Sequence, residues 1–147
     1  MAAGFTLNGA NLKVFENYIL EDFLKSNAIN NNIFLYESEV SPLAFNQDFY
    51  DDIKKLEPFG NGNSVPTFML RDLKIIKPMV LNNKHISAIL KSKTGFSIKS
   101  ISFNSINTKI GEYLMNYKNS INVIGQINEN IWHNKKALQL TVRDVIL

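Results

Sequence analysis

The position of a single helical stretch constrains this chain more than any other feature. From residue 67 onward, apolar and polar residues alternate in short runs, and the period changes only once. The alternation predicts strands over residues 67–76, 85–93 and 96–104. Residues 108–117 then follow a helical period, with Ile110, Tyr113, Leu114 and Tyr117 on one face. Alternation resumes over residues 121–132 and 137–146. Asn82-Asn83, Thr94-Gly95 and His133-Asn134-Lys135 supply turns, because Asn and Gly tolerate left-handed backbone. Gly125, inside the fourth strand, suits a bend or bulge.

Three strands, a helix and two strands within about 80 residues is the order of an OB-fold. An SH3-like barrel also has five strands but does not place a three-turn helix there. The expected fold class is mainly β with helices: an OB-fold five-stranded barrel with an N-terminal helical appendage. Ahead of it, Leu12, Phe15, Ile19 and Phe23 form one apolar stripe on a helix expected over residues 10–26, with Asn11 as its N-cap. Asn27, Asn30, Asn31 and Asn32 end that helix. A strand is expected from Ile33 to Val40, stopped by Ser41-Pro42. A second helix is expected over residues 46–56, with Phe49, Ile53 and Leu56 on one face, and Pro58 would end it. Phe68, Phe96, Phe103 and Tyr113 are read as core.

The chain has 147 residues and no cysteine, so disulfide, Cys-ligated metal and thiol chemistry are excluded. No apolar run approaches the length of a membrane span, and the start MAAGFTLNGANLK is not that of a signal peptide. The expected location is cytoplasmic. Residues 1–60 carry four lysines and nine acids, a net of −5; residues 61–147 carry twelve basic residues and four acids, a net of +8. Such a split fits a C-terminal part that meets a polyanion; the plainer alternative is a soluble basic surface.

Chemistry-bearing clusters are sparse. Hydrolysis of a phosphodiester with metal ions needs clustered Asp, His or Glu. The only histidines are His85 and His133, neither with a carboxylate at motif spacing. Asp51-Asp52 are neighbours on a helix and point in different directions. Gly60-x-Gly62 lacks the following Lys-Ser/Thr of a phosphate loop. Neither a catalytic nor a metal residue is assigned.

Single-strand binders combine a basic groove with aromatic rings on which bases stack. The candidate phosphate contacts are Arg71, Lys74, Lys77, Lys84, Lys91, Lys93, Lys99, Lys135, Lys136 and Arg143. On the second strand Ser87, Ile89, Lys91 and Lys93 share one side, while Ile86, Ala88 and Leu90 share the other, which reads as barrel interior. On the third strand Ser97, Lys99 and Ile101 likewise oppose Phe96 and Ile98. Trp132, beside the turn between the last two strands, is either a stacking platform or a half-buried barrel-end residue. His133 and Lys135 stand in the same turn. Phe59 reads as a plug, with Gly60 and Gly62 permitting the backbone path of the loop around it.

Three stretches resemble the C-terminal part of the RecJ family of exonucleases specific for single-stranded DNA. Met1-Ala2-Ala3-Gly4-Phe5-Thr6 is similar to the tail of a Gly-Gly-His-x-Met-Ala-Ala-Gly motif near the end of the family's DHHA1 domain. Leu56-Glu57-Pro58-Phe59-Gly60-x-Gly62-Asn63, followed by Pro66 and Phe68, is the most specific match. Asn130-x-Trp132 with Leu138-Gln139-Leu140-x-Val142-x-Asp144-Val145 matches the family's last two strands. The resemblance implies residues 1–30 as the incomplete end of a DHHA1 domain and residues 31–147 as a RecJ-type OB-fold domain. It implies single-stranded DNA as partner and 5′-to-3′ degradation, in recombination and repair, as the parent activity. Mn2+ or Mg2+ would be held by a DHH domain whose motifs this chain lacks, so the chain alone is expected to be inactive and to need no cofactor. It also implies a structural role for Phe59, Gly60, Gly62 and Asn63. Where the family has His-Leu-Lys, this chain has His85-Ile86-Ser87, one basic residue fewer on the expected DNA face. The motif's Met coincides with Met1, as in a frame opened inside a split gene. The Phe15, Ile19 and Phe23 stripe would then meet a separate catalytic chain or a second copy. The alternatives are a non-catalytic interaction subunit and a gene remnant that still folds.

Overall fold

The computed structural model describes residues 4–25, 34–132 and 135–147, without the side chains of residues 24, 25, 132 and 135. It divides into two compact units, residues 1–33 and 34–147. In the first, a short 3-10 turn, Gly9–Asn11, leads into α1, Leu12–Lys25. The cap is Asn8, whose side chain accepts from the Ala10 N–H, and not the expected Asn11. The expected turn residues Asn27, Asn30, Asn31 and Asn32 lie outside the described residues, as do Met1, Ala2, Ala3 and Ile33.

The second unit contains β1 (Ser38–Glu39), α2 (Gln47–Lys54), β2 (Phe68–Leu81), β3 (His85–Lys91), β4 (Ser97–Ser102), α3 (Lys109–Asn116), β5 (Ile121–Trp132) and β6 (Lys135–Ile146). β2, β3, β4, β6 and β5 pair in that order, and β2 pairs again with β5, so five strands close into a barrel with α3 between the third and fourth. Its core is the inward side of each strand: Leu70, Leu73, Ile86, Leu90, Ile98, Ile121, Val123, Ile127 and Leu140, joined by Leu114 of α3. The alternation read from the sequence thus sorts β3 and β4 correctly.

Two glycines let the backbones close up. A Cβ on Gly125 would lie 2.6 Å from the Thr141 carbonyl, where the β5–β6 register shifts as the bulge reading requires. A Cβ on Gly111 would lie 2.0 Å from the Ser105 carbonyl, so only glycine lets α3 sit this near the end of β4. Thr108 caps α3 by accepting from the Gly111 N–H.

Several expectations are corrected. The strand from Ile33 to Val40 shrinks to β1, because only the Glu37–Val40 backbone pairs with Thr67–Met69. α2 ends at Lys54, before Leu56, which is exposed. β2 runs five residues beyond its expected end at Ile76. Lys77 adopts a positive φ, the ladder shifts between Ile76 and Met79, and pairing with β3 resumes past Pro78. Phe103 is not core: it follows the end of β4 and is 55% exposed.

Candidate nucleic-acid interface

The outer wall of β2, β3 and β4 carries Lys74, Lys91 and Lys99. Lys74 of β2 stands directly opposite Lys91 of β3, and Lys99 of β4 is opposite Ile89, one pleat away on the same wall. Lys74, Lys91 and Lys93 line a depression of about 460 Å³ with Ile76 and Ser92. Like charges facing each other across strands cost stability unless something anionic lies over them. Among the described residues, Lys74, Lys91 and Lys99 have no carboxylate within ion-pair distance.

Three other candidates, Arg71, Lys93 and Lys136, are already engaged. Arg71 Nε donates to Glu39 Oε2 at 2.6 Å, and that hydrogen bond, with the carboxylate's charge, holds the guanidinium above its ordinary pKa. Lys93 Nζ lies 3.0 Å from Asp72 Oδ2. Lys84 is exposed in the β2–β3 turn, where its N–H donates to the Leu81 carbonyl at 3.1 Å. Lys136 pairs with Glu129 at 3.1 Å. The backbones of Trp132 and Lys135 pair with each other, and their side chains, like His133, lie outside what the structure describes.

The wall of β5 and β6 differs. Arg143 donates from Nε and Nη2 to Gln126 Oε1, at 3.2 and 2.8 Å. A depression of about 490 Å³ there is lined by Arg143, Gln126, Asn128, Gln139 and Phe103, among others. The exposed Phe103 ring meets His85 edge-on at a 5.2 Å centroid distance. Sequence reasoning missed Phe103, Gln126 and Asn128 as site residues. The signal was present, since Phe103 shares parity with Lys99 and Ile101, on the outward side.

In the glycine loop, Asn63 Nδ2 donates to the Leu56 and Pro58 carbonyls at 2.9 and 3.0 Å, and Gly60 and Asn63 bridge their backbones. Gly62 takes a φ of 85°, and Phe59 packs against the core. Among the described residues no three His, Asp or Glu side chains gather where they could hold a metal ion, and His85 Nδ1 is occupied by the Asn104 N–H at 2.9 Å.

The family model described as RecJ OB domain matches residues 36–144. The chain belongs to the RecJ OB-domain family. Two crystal structures of RecJ from Thermus thermophilus are similar in fold. The one in complex with Mg2+ matches with a TM-score of 0.69 at 18% identity, over 98% of this chain and 21% of that one. The one in complex with Mn2+ matches with a TM-score of 0.68 at 20% identity, over 97% and 20%. The chain thus spans about a fifth of the length of those RecJ proteins. No curated protein sequence matches it. Among the described residues no helix is long and apolar enough to cross a membrane.

Proposed function

We propose that this chain is the single-strand-gripping portion of a RecJ-like 5′-to-3′ exonuclease, and that alone it binds single-stranded DNA and hydrolyses nothing. The supporting observation is the facing pair Lys74 and Lys91, without an ion pair among the described residues and flanked by Lys99, on the strand wall where OB-folds take oligonucleotides. In this reading those lysines follow the phosphates. Lys93, Arg71, Lys84 and Arg143 add charge at the margins, and Trp132, His133 and Lys135 act at the β5–β6 turn. Phe59, Gly60, Gly62 and Asn63 hold the loop ahead of the barrel. Mn2+ or Mg2+ would belong to catalytic domains outside this sequence, and a cytoplasmic place in recombination and repair goes with the parent activity.

Fluorescence-anisotropy titration with a labelled oligonucleotide at several salt concentrations tests this, with a nuclease assay in Mn2+ on the same sample. Six neutralised phosphates would give a log–log salt slope of about −4 for a single strand. Absence of binding at low salt, or metal-dependent cleavage by the chain alone, overturns the reading.

A second reading concerns α1. Residues 1–30 would be the end of a DHHA1 domain, and the α1 stripe would meet a separate catalytic chain or a second copy. Exposure of Ile19 and Phe23 favours it, while Phe15 is partly covered by Phe5 at a 4.9 Å centroid distance. Ile19→Asp should then abolish any dimer seen by light scattering; a monomer before and after removes self-association.

A further inference from the structure

We propose that the depression between Phe103, Asn128 and Arg143 is a base-reading subsite that prefers guanine in the bound single strand. The inference rests on the single-strand reading above and adds to it a preference that the lysine wall cannot supply. A lysine ammonium is a point charge on a flexible stem and lacks the rigid fork that fixes a base edge in one orientation.

The β5–β6 wall is built differently. Gln126 is fully spent on the protein. Its Nε2 donates to the Val65 carbonyl at 3.0 Å and to Thr67 Oγ1 at 3.3 Å, while its Oε1 takes both hydrogen bonds from Arg143. It therefore fixes the guanidinium without neutralising it. The remaining N–H groups of Arg143, on Nη1 and the second hydrogen of Nη2, are left to a ligand. Asn128 is spent on one side only. Its Nδ2 donates to the Gln126 carbonyl at 3.3 Å and to Thr141 Oγ1 at 2.9 Å. Both amide hydrogens are used, so what Asn128 offers is its Oδ1 acceptor. Phe103 offers a ring to stack on, because it lines the depression and is more than half exposed, with His85 packed against it at an interplanar angle of 74°.

A fixed fork of donors, a fixed acceptor and a stacking ring select among bases. Arginine pairs best with two neighbouring acceptors, and guanine presents O6 and N7. Its N1–H donor lies beside O6, where an Oδ1 acceptor is matched. Unpaired cytosine also has adjacent acceptors next to a donor, but a smaller face to stack on Phe103. Thymine alternates acceptor and donor and cannot fill the fork. Reading of Watson–Crick and Hoogsteen edges beside an aromatic stack is the ordinary mode for unpaired bases.

The test is competition anisotropy on the full chain at low salt, with oligo(dT) carrying one central dG, dA or dC. One guanine should raise affinity about fivefold over oligo(dT), the lower end of what a good bidentate pair discriminates. Arg143→Lys keeps a charge and loses the fork, so the dG-to-dT ratio measured within that variant should fall below about twofold. Circular dichroism confirms that the variant is folded. Equal affinity for all four oligonucleotides, or preference for another base, overturns the subsite while the lysine wall stands. Failure of oligo(dT) itself to bind overturns both. An unchanged dG-to-dT ratio in folded Arg143→Lys overturns the assignment to Arg143.

Discussion

Helix α1 and the barrel solve the same problem to different degrees. The barrel turns one side of every strand inward, and Leu70, Leu73 and Leu90 retain no exposure. α1 carries Leu12, Val14, Tyr18, Ile19, Leu20 and Phe23, each at least half exposed. A sheet that closes on itself completes its own core, since each strand supplies cover for its neighbours. A single helix cannot, because it has no neighbour of its own to supply that cover. The contrast places the packed core in residues 34–147 and leaves these apolar side chains of α1 exposed.

The strongest challenge to that contrast is inside the barrel. Gly111→Ala drives a methyl into the Ser105 carbonyl, which is backbone and cannot step aside, so α3 must shift. A loss of about 1–3 kcal/mol or more is expected in urea unfolding. Leu90→Ala should remove about 2–5 kcal/mol by the same measurement. A milder loss at both sites would mean that the core tolerates gaps a closed barrel should not. On the outer wall, Lys74→Glu with Lys91→Glu should cut oligonucleotide affinity by at least tenfold at low salt and reduce the salt slope by about 1.4. Lys93→Glu alone should matter less, because Asp72 already holds that lysine. At the small end, Val14→Ser on α1 should change unfolding stability by less than about 0.5 kcal/mol, since its side chain is exposed. A larger loss would show that α1 is covered after all.

Much of the barrel was legible because a closed sheet imposes period-two burial on nearly every residue. β5 keeps its expected bounds, and Gly125 lies at its register shift. Where the chain departs from the reading, a local device offsets a breaker or a propensity. The expected first strand ends at Ile76, but a bulge at Lys77 lets the ladder resume past Pro78. Ile33–Val40 alternates like a strand, yet its partner is only the first few residues of β2, so it pairs briefly. Phe103 was assigned by residue type against its own parity. The wall lysines were legible as a set. Their separation into free and ion-paired members was not, because Glu39 and Asp72 reach Arg71 and Lys93 only through the fold.

The ring of strands is unevenly joined. β5 and β6 pair along their whole length, from Asn122 opposite Ile146 to Trp132 opposite Lys135. That hairpin is joined to β4 only at Ser100–Leu140 and Ile101–Thr141, and to β2 through a register shift between Leu70 and Leu73. In a native-state hydrogen-exchange experiment it is therefore the cooperative unit expected to part from the rest ahead of global unfolding. Gln126 and Arg143 would travel together on it.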